Sequence, residues 1–418
     1  MVVESMIGIL AELEAEMLVA YSAILVMALV PIWIGSHRSL EQKAVLQDPA
    51  SASHYSFSSP SVSLPSAKQI YTPSLPDYLF FLLHLRHSFF VPSLSSFSFS
   101  PLIFFLVICV QTETLSSKDA YMFPVIGSCV LFGLYLLFKF LSKEYVNMLL
   151  TAYFLVFGIV AVSSTLRPFL APFFSPSVRE REPYHLSFTP FWRKEAIEVK
   201  FTMVEFVSTF FGLIIGIWYV STKHWISNNI LGLSFSIQGV AFLSLGSYQT
   251  GCILLGGLFL YDIFWVFGTD VMVTVAKSFD APIKLLFPKD IFAEEMQFSM
   301  LGLGDIVIPG IFIALLLRFD ASRAGKKDNF ARTHFITTFL GYIAGMVATI
   351  GVMHFFQAAQ PALLYLVPSC IGSSLLAAAA TGNLKQLINY SEEAPEEEQT
   401  TTTSTTTKDK KAPATKQD

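Results

Sequence analysis

The chain has 418 residues, 53% apolar and 14% charged, with a mean hydropathy of +0.57 and a formal net charge of −4. Soluble globular proteins carry roughly 25% charged residues, so this balance excludes an ordinary soluble domain and points to a polytopic, all-α membrane protein. Four cysteines (Cys109, Cys129, Cys252, Cys370) lie in apolar stretches without paired spacing and read as small packing residues rather than a disulfide framework.

A membrane-spanning helix needs about 20 mainly apolar residues. Nine stretches satisfy that pattern: residues 17–34, 122–141, 145–164, 203–220, 229–245, 251–267, 298–317, 335–356 and 362–380. The first is preceded by Glu4, Glu12, Glu14 and Glu16 rather than by basic residues, and is expected to remain as an anchor instead of being removed as a secretory signal. Basic residues set the expected orientation. Arg38, Lys43, Lys68, Arg86 and Lys118 fall in one loop, Arg167 to Lys200 in a second, and Arg318 to Arg332 in a third. That bias places the N-terminus in the lumen and the C-terminus in the cytosol.

The expected organisation is a short N-terminus and first helix (1–35), a cytosolic loop (36–118), a membrane core (119–390) and a solvated Glu/Thr/Lys-rich tail (391–418). Within the loop, residues 41–111 turn to Ser, Phe, Pro and Leu, and the stretch closes on Ile103–Gln111 in the manner of a translated intron end. A gene-model artefact is the expectation there, with a genuine loop insertion as the alternative.

Two aspartates carry the chemistry. Asp262 follows Tyr261 in the sixth apolar stretch, and Asp305 follows Gly302-Leu303-Gly304 in the seventh. An aspartate at the centre of a membrane helix costs roughly 2.5–3.5 kcal/mol, so such residues mark function. Two adjacent carboxylates cannot both ionise readily; they share a proton, one taking a proton from water while the other polarises a peptide carbonyl. Gly302 and Gly304 permit either an extended substrate strand beside Asp305 or close helix packing. Pro361-Ala362-Leu363, at the start of the last apolar stretch, carries weight only in combination with these.

Taken together, Tyr-Asp in one helix, Gly-Leu-Gly-Asp in the next and Pro-Ala-Leu opening the last resemble the signal peptide peptidases, relatives of presenilin among the intramembrane aspartic proteases. The resemblance covers residues 17–35 and 119–391. It implies a presenilin-like arrangement of about nine helices, with Asp262 and Asp305 as the catalytic pair. It further implies that Pro361, Ala362 and Leu363 line the active site, and Tyr261, Gly302 and Gly304 are assigned with them to substrate binding. The implied substrates are signal-peptide remnants and type II membrane helices, in the endoplasmic reticulum membrane. Membrane lipid is the surrounding medium. No cofactor, metal or nucleic acid is expected, and homo-oligomerisation is compatible with the sequence.

Two other classes use intramembrane carboxylates: a proton-coupled transporter or channel, and a non-catalytic scaffold that binds membrane helices. No paired internal repeat supports the former. His-Glu-x-x-His is absent, and the eight histidines form no metal pattern. Ser373 and His354, on late helices, are a weak pair for a serine enzyme.

Overall fold

The computed structural model describes residues 2–47, 114–179, 184–188, 197–269, 271–279, 281–289, 297–325, 330–356 and 360–392. All nine apolar stretches contain helix. They are α1 (Val2–Gln47), α2 (Ser117–Phe140), α3 (Lys143–Leu170), α4 (Met203–Thr222), α5 (Trp225–Phe242) and α6 (Tyr248–Phe267). The short α7 (Val271–Ser278) follows, then α8 (Gly304–Ala324), α9 (Thr333–Phe356), α10 (Leu363–Ala380) and the short α11 (Leu384–Ile388). Seven of the described helices (α1–α4, α6, α9 and α10) are long and apolar enough to cross a membrane.

The outside of the bundle is as apolar as the inside. The exposed residues of α4 include Phe206, Phe210, Leu213, Ile214 and Ile217, a surface that suits lipid and not water. Inside, α8 runs through the centre. Every residue from Ile311 to Ala321 is buried, so no side of it reaches lipid, and the helix is surrounded by α1, α5, α6, α9 and α10. Because the contacting surfaces are all apolar in a membrane, close backbone approach takes over as the source of packing specificity. Gly212 and Gly216 of α4 lie against Leu155 and Ile159 of α3, and Gly341 and Gly345 of α9 against Ser369 and Ser373 of α10.

Two expected boundaries are corrected. The helix expected over 298–317 begins only at Gly304; Phe298–Gly302 is instead a strand, β6, paired antiparallel with β5 (Lys284–Pro288), so that Lys284 lies opposite Gly302. Glycine favours helix poorly, and the hairpin meets its backbone demands with sheet bonds. Asn229 of α5 secures β5 further, its side chain bonding both the N–H (2.8 Å) and the C=O (2.6 Å) of Leu286. The helix expected to reach residue 245 ends at Phe242, and Ser244–Leu245 forms β4, paired parallel with Thr114–Leu115 (β1). Tyr184–Phe188 (β2) and Ile197–Phe201 (β3) pair antiparallel between α3 and α4 in the chain.

At that same end the chain closes on itself. Ser391 bridges Ser247, and the Glu392 N–H donates to the Gly246 carbonyl at 2.7 Å. The Glu392 carboxylate, nearly buried, joins Arg318 of α8 (2.8 Å) and Lys43 of α1 in an ion-paired cluster. Nearby, Asp320 accepts from the His334 ring at 2.6 Å and from the Phe335 N–H at 3.0 Å, tying α8 to α9. Residues 48–111 of the anomalous segment and the tail beyond Glu392 lie outside the described residues.

Candidate active site

The last turns of α6, the first turn of α8 and the first turn of α10 come together at one end of the bundle, and the three helices are in mutual contact. Asp262 sits five residues before the end of α6 and is 5% exposed. Its Oδ2 accepts the backbone N–H of Leu363 at 3.1 Å. Leu363 is the first residue of α10, so this N–H is one of the donors that a helix N-terminus leaves without an internal partner. The positive end of that helix therefore faces the carboxylate.

Asp305 occupies the first turn of α8 and is half-buried. The cost expected for a carboxylate at a helix centre does not apply to it, because an acid in the first turn faces free N–H groups. The helix it opens packs directly against α6, which carries Asp262. The position of its chain is fixed from α9, where the hydroxyl of fully buried Tyr342 donates to the Asp305 carbonyl oxygen at 3.2 Å.

The two glycines differ in role. A Cβ at Gly302 would come within 3.3 Å of Asp305 Oδ2, whereas one at Gly304 would meet nothing closer than Ile308 Cδ1 at 4.0 Å. Gly302 thus clears room for the carboxylate, and Gly304 sits at the strand-to-helix junction. Tyr261 packs with its ring 3.6 Å from the Cβ position of Gly127 in α2 and 6.3 Å from Trp265, which places it on the α2 side of the site. Pro361 and Leu363 are buried and Ala362 half-buried, and the Pro361 and Ala362 carbonyls accept the first helical hydrogen bonds of α10.

Two contributions escaped sequence reasoning: the Leu363 amide, which is a backbone group, and Tyr342. The sequence signal for Tyr342 is weak, because α9 carries other hydroxyl side chains, among them Thr337, Thr338 and Thr349. Ser373 and His354 are not brought together as a hydrolytic pair: Ser373 packs against Gly341, and His354 meets the Tyr21 ring edge-on at 6.1 Å. Among the described residues no cluster of His, Cys, Asp or Glu could hold a metal ion.

A polytopic helical membrane protein with one buried carboxylate, Asp262, held by the opening turn of α10 and a second, Asp305, in the first turn of the adjoining α8 is what the fold and site define. A family model described as signal peptide peptidase matches residues 109–394. The chain is 53% identical to the signal peptide peptidase of Homo sapiens over 289 residues, 68% of this chain and 75% of the human protein. A probable intramembrane protease of Schizosaccharomyces pombe is 35% identical over 289 residues, 68% of this chain and 86% of its own length. Intramembrane protease 2 of Caenorhabditis elegans is 56% identical over 182 residues, 41% of this chain and 39% of that protein. The chain belongs to the signal peptide peptidase family, and it is an intramembrane endopeptidase whose substrates are transmembrane peptides.

Proposed function

We propose that the endopeptidase is of the aspartic type and that Asp262 and Asp305 are its catalytic pair. The observation that carries this reading is the contact of Asp262 with the first N–H of α10, with Asp305 in the first turn of α8, a helix that packs against both α6 and α10. A pair of carboxylates holding one proton supplies both groups that peptide hydrolysis needs. The ionised member takes a proton from water as its oxygen attacks the scissile carbonyl carbon. The protonated member donates to the carbonyl oxygen, and a tetrahedral diol forms without a covalent enzyme intermediate. Collapse of the diol breaks the C–N bond, and the amine leaves with a proton returned from the pair.

A helical peptide bond is shielded by its own hydrogen bonds, so the substrate helix unwinds first. Strand β6 ends at Gly302, three residues before Asp305, and gives an extended segment a backbone edge leading to the carboxylates. Pro361, Ala362 and Leu363 close the other side of the site, and Tyr261, Gly302 and Gly304 border the substrate. Substrates are signal-peptide remnants and type II membrane helices in the endoplasmic reticulum membrane. The N-terminus is lumenal and the C-terminus cytosolic, in keeping with the basic loops.

The test is cleavage of a signal-peptide-derived membrane helix by the purified chain, beside Asp262→Asn and Asp305→Asn. Each substitution is expected to lower the rate by about 10³-fold or more while leaving the thermal midpoint close to that of the parent. Retention of most of the activity by either variant overturns the assignment.

A further inference from the structure

At the end of the bundle opposite the two aspartates, an open cavity of about 530 Å³ lies between the last turn of α8, helix α11 and the segment after it. Its lining includes Phe319, Ser322, Arg323, Lys385, Asn389 and Tyr390. We propose that this cavity binds the phosphate headgroup of an anionic membrane lipid.

The charge is of one sign. Arg323 and Lys385 line the cavity, and no acidic side chain does. Among the described residues neither cation reaches a carboxylate at ion-pair distance; the nearby Glu392 is engaged by Arg318 and Lys43 instead. The Arg323 guanidinium lies 5.7 Å from the centre of the Phe319 ring, so an aromatic face supports a group that presents several parallel donors to a phosphate. The side-chain amides of Gln386 and Asn389 add neutral donors. The volume lies within the roughly 300–1,000 Å³ usual for small-ligand sites.

The location selects a lipid over a free anion. Residues of α8 are buried from Pro309 to Ala321, and Ser322 and Arg323 are exposed, so the cavity opens at the level where the helix leaves the packed interior. Beside it α11 exposes Leu384 and Ile388, one turn apart, next to Lys385. Apolar residues on one side with a cation alongside are the pattern of a helix lying in the interface between acyl chains and headgroups. A lipid phosphate held by Arg323 and Lys385 would leave its acyl chains free to run along that apolar edge. Basic pockets at the ends of membrane helices are a general form of headgroup recognition.

The experiment uses the full chain in detergent micelles, with lipid adducts counted by native mass spectrometry. The probes are dioleoyl phosphatidylinositol 4-phosphate, dioleoyl phosphatidylcholine and inorganic phosphate. The parent is expected to retain the phosphoinositide about tenfold more strongly than phosphatidylcholine, and Arg323→Gln with Lys385→Gln to abolish that preference. Both side chains are exposed, so the double variant should keep the parent's thermal midpoint. Lys139→Gln with Lys223→Gln, away from the cavity, should change nothing. An undiminished preference in the Arg323/Lys385 variant overturns the proposal. So does equal retention of phosphatidylcholine, or full displacement of the lipid by millimolar inorganic phosphate.

Discussion

Leu363 gives its backbone N–H to Asp262 across 101 residues of sequence, and that 3.1 Å bond is the most direct link between the opening of α10 and a candidate catalytic carboxylate. A hydrogen bond to a charged group contributes about 1.5–3 kcal/mol, enough to set the direction in which the carboxylate points.

Leu363→Pro removes the donor, and it also disfavours the helical backbone of Ala362 (φ −66°, ψ −36°). Cleavage per folded molecule is expected to fall by at least ~10–100-fold, the kinetic equivalent of that bond. Leu363→Ala keeps the N–H but empties a buried position, so it should lower stability by about 2–5 kcal/mol and spare the rate per folded molecule. Rate and thermal midpoint, measured on the same preparations, separate the two effects. The same loss of rate in both variants would show that the side chain, not the amide, matters.

Gly302 and Gly304 are expected to part company. Gly302→Ala puts a methyl group 3.3 Å from Asp305 Oδ2 and should displace the carboxylate, with activity down about tenfold and the fold intact. Gly304→Ala meets only open contact at 4.0 Å and begins a helix, where alanine is favoured by about 1 kcal/mol. Steady-state cleavage and thermal unfolding of both variants check this. Comparable activity in the two would remove the special role of Gly302.

The contact between α9 and α10 depends on two glycines. A Cβ at Gly341 would fall 2.8 Å from the Ser369 carbonyl oxygen, and one at Gly345 would fall 3.1 Å from that of Tyr365. Backbone atoms cannot swing aside, so Gly341→Ala and Gly345→Ala are each expected to cost about 1–3 kcal/mol. Activity should fall with stability, because Tyr342 and Leu363 reach the site from these two helices. Replacing Gly351, whose Cβ position is open, by alanine is the control that should show no loss.

Glu392 introduces a pH dependence remote from the chemistry. Burial pushes its carboxyl upward, but the charges and hydrogen bonds of Arg318 and Lys43 outweigh burial and hold it below the usual value of 4.5. A carboxylate depressed in the folded state adds stability at pH values above its unfolded pKa and loses it as the pH falls through the folded one. Thermal stability should therefore decline below about pH 4.5, and Glu392→Gln should flatten that part of the profile. At neutral pH the same variant leaves nearly buried Arg318 without its partner, a loss of about 3–5 kcal/mol when one side of a buried pair is removed. A midpoint unmoved at pH 7 would show that the cluster contributes nothing to stability.

The nine apolar stretches were legible because lipid demands continuous apolar length, and each contains a helix in the structure. The boundaries were less so. Residues 298–302 are as apolar as the helix they precede, and composition does not distinguish a membrane helix from a strand whose hydrogen bonds are met by a neighbour; only the pairing with 284–288 decides it. The identities of Asp262 and Asp305 stood out for a different reason: each is an ionisable residue inside an apolar stretch, a signal that is visible before the helix boundaries are known.

From sequence alone came the class of molecule, the positions of its helices and the residues able to do chemistry, because hydropathy and side-chain type are properties of single residues. Tertiary structure alone decided that Asp305 begins a helix rather than crossing its middle, that Tyr342 fixes its carbonyl, and that the Leu363 amide meets Asp262. It alone joined Lys43, Arg318 and Glu392 in one cluster. Apart from that helix start, each of these is a meeting of groups 37 to 349 residues apart, in two cases through the backbone, which carries no residue-specific signal until packing brings it to a partner.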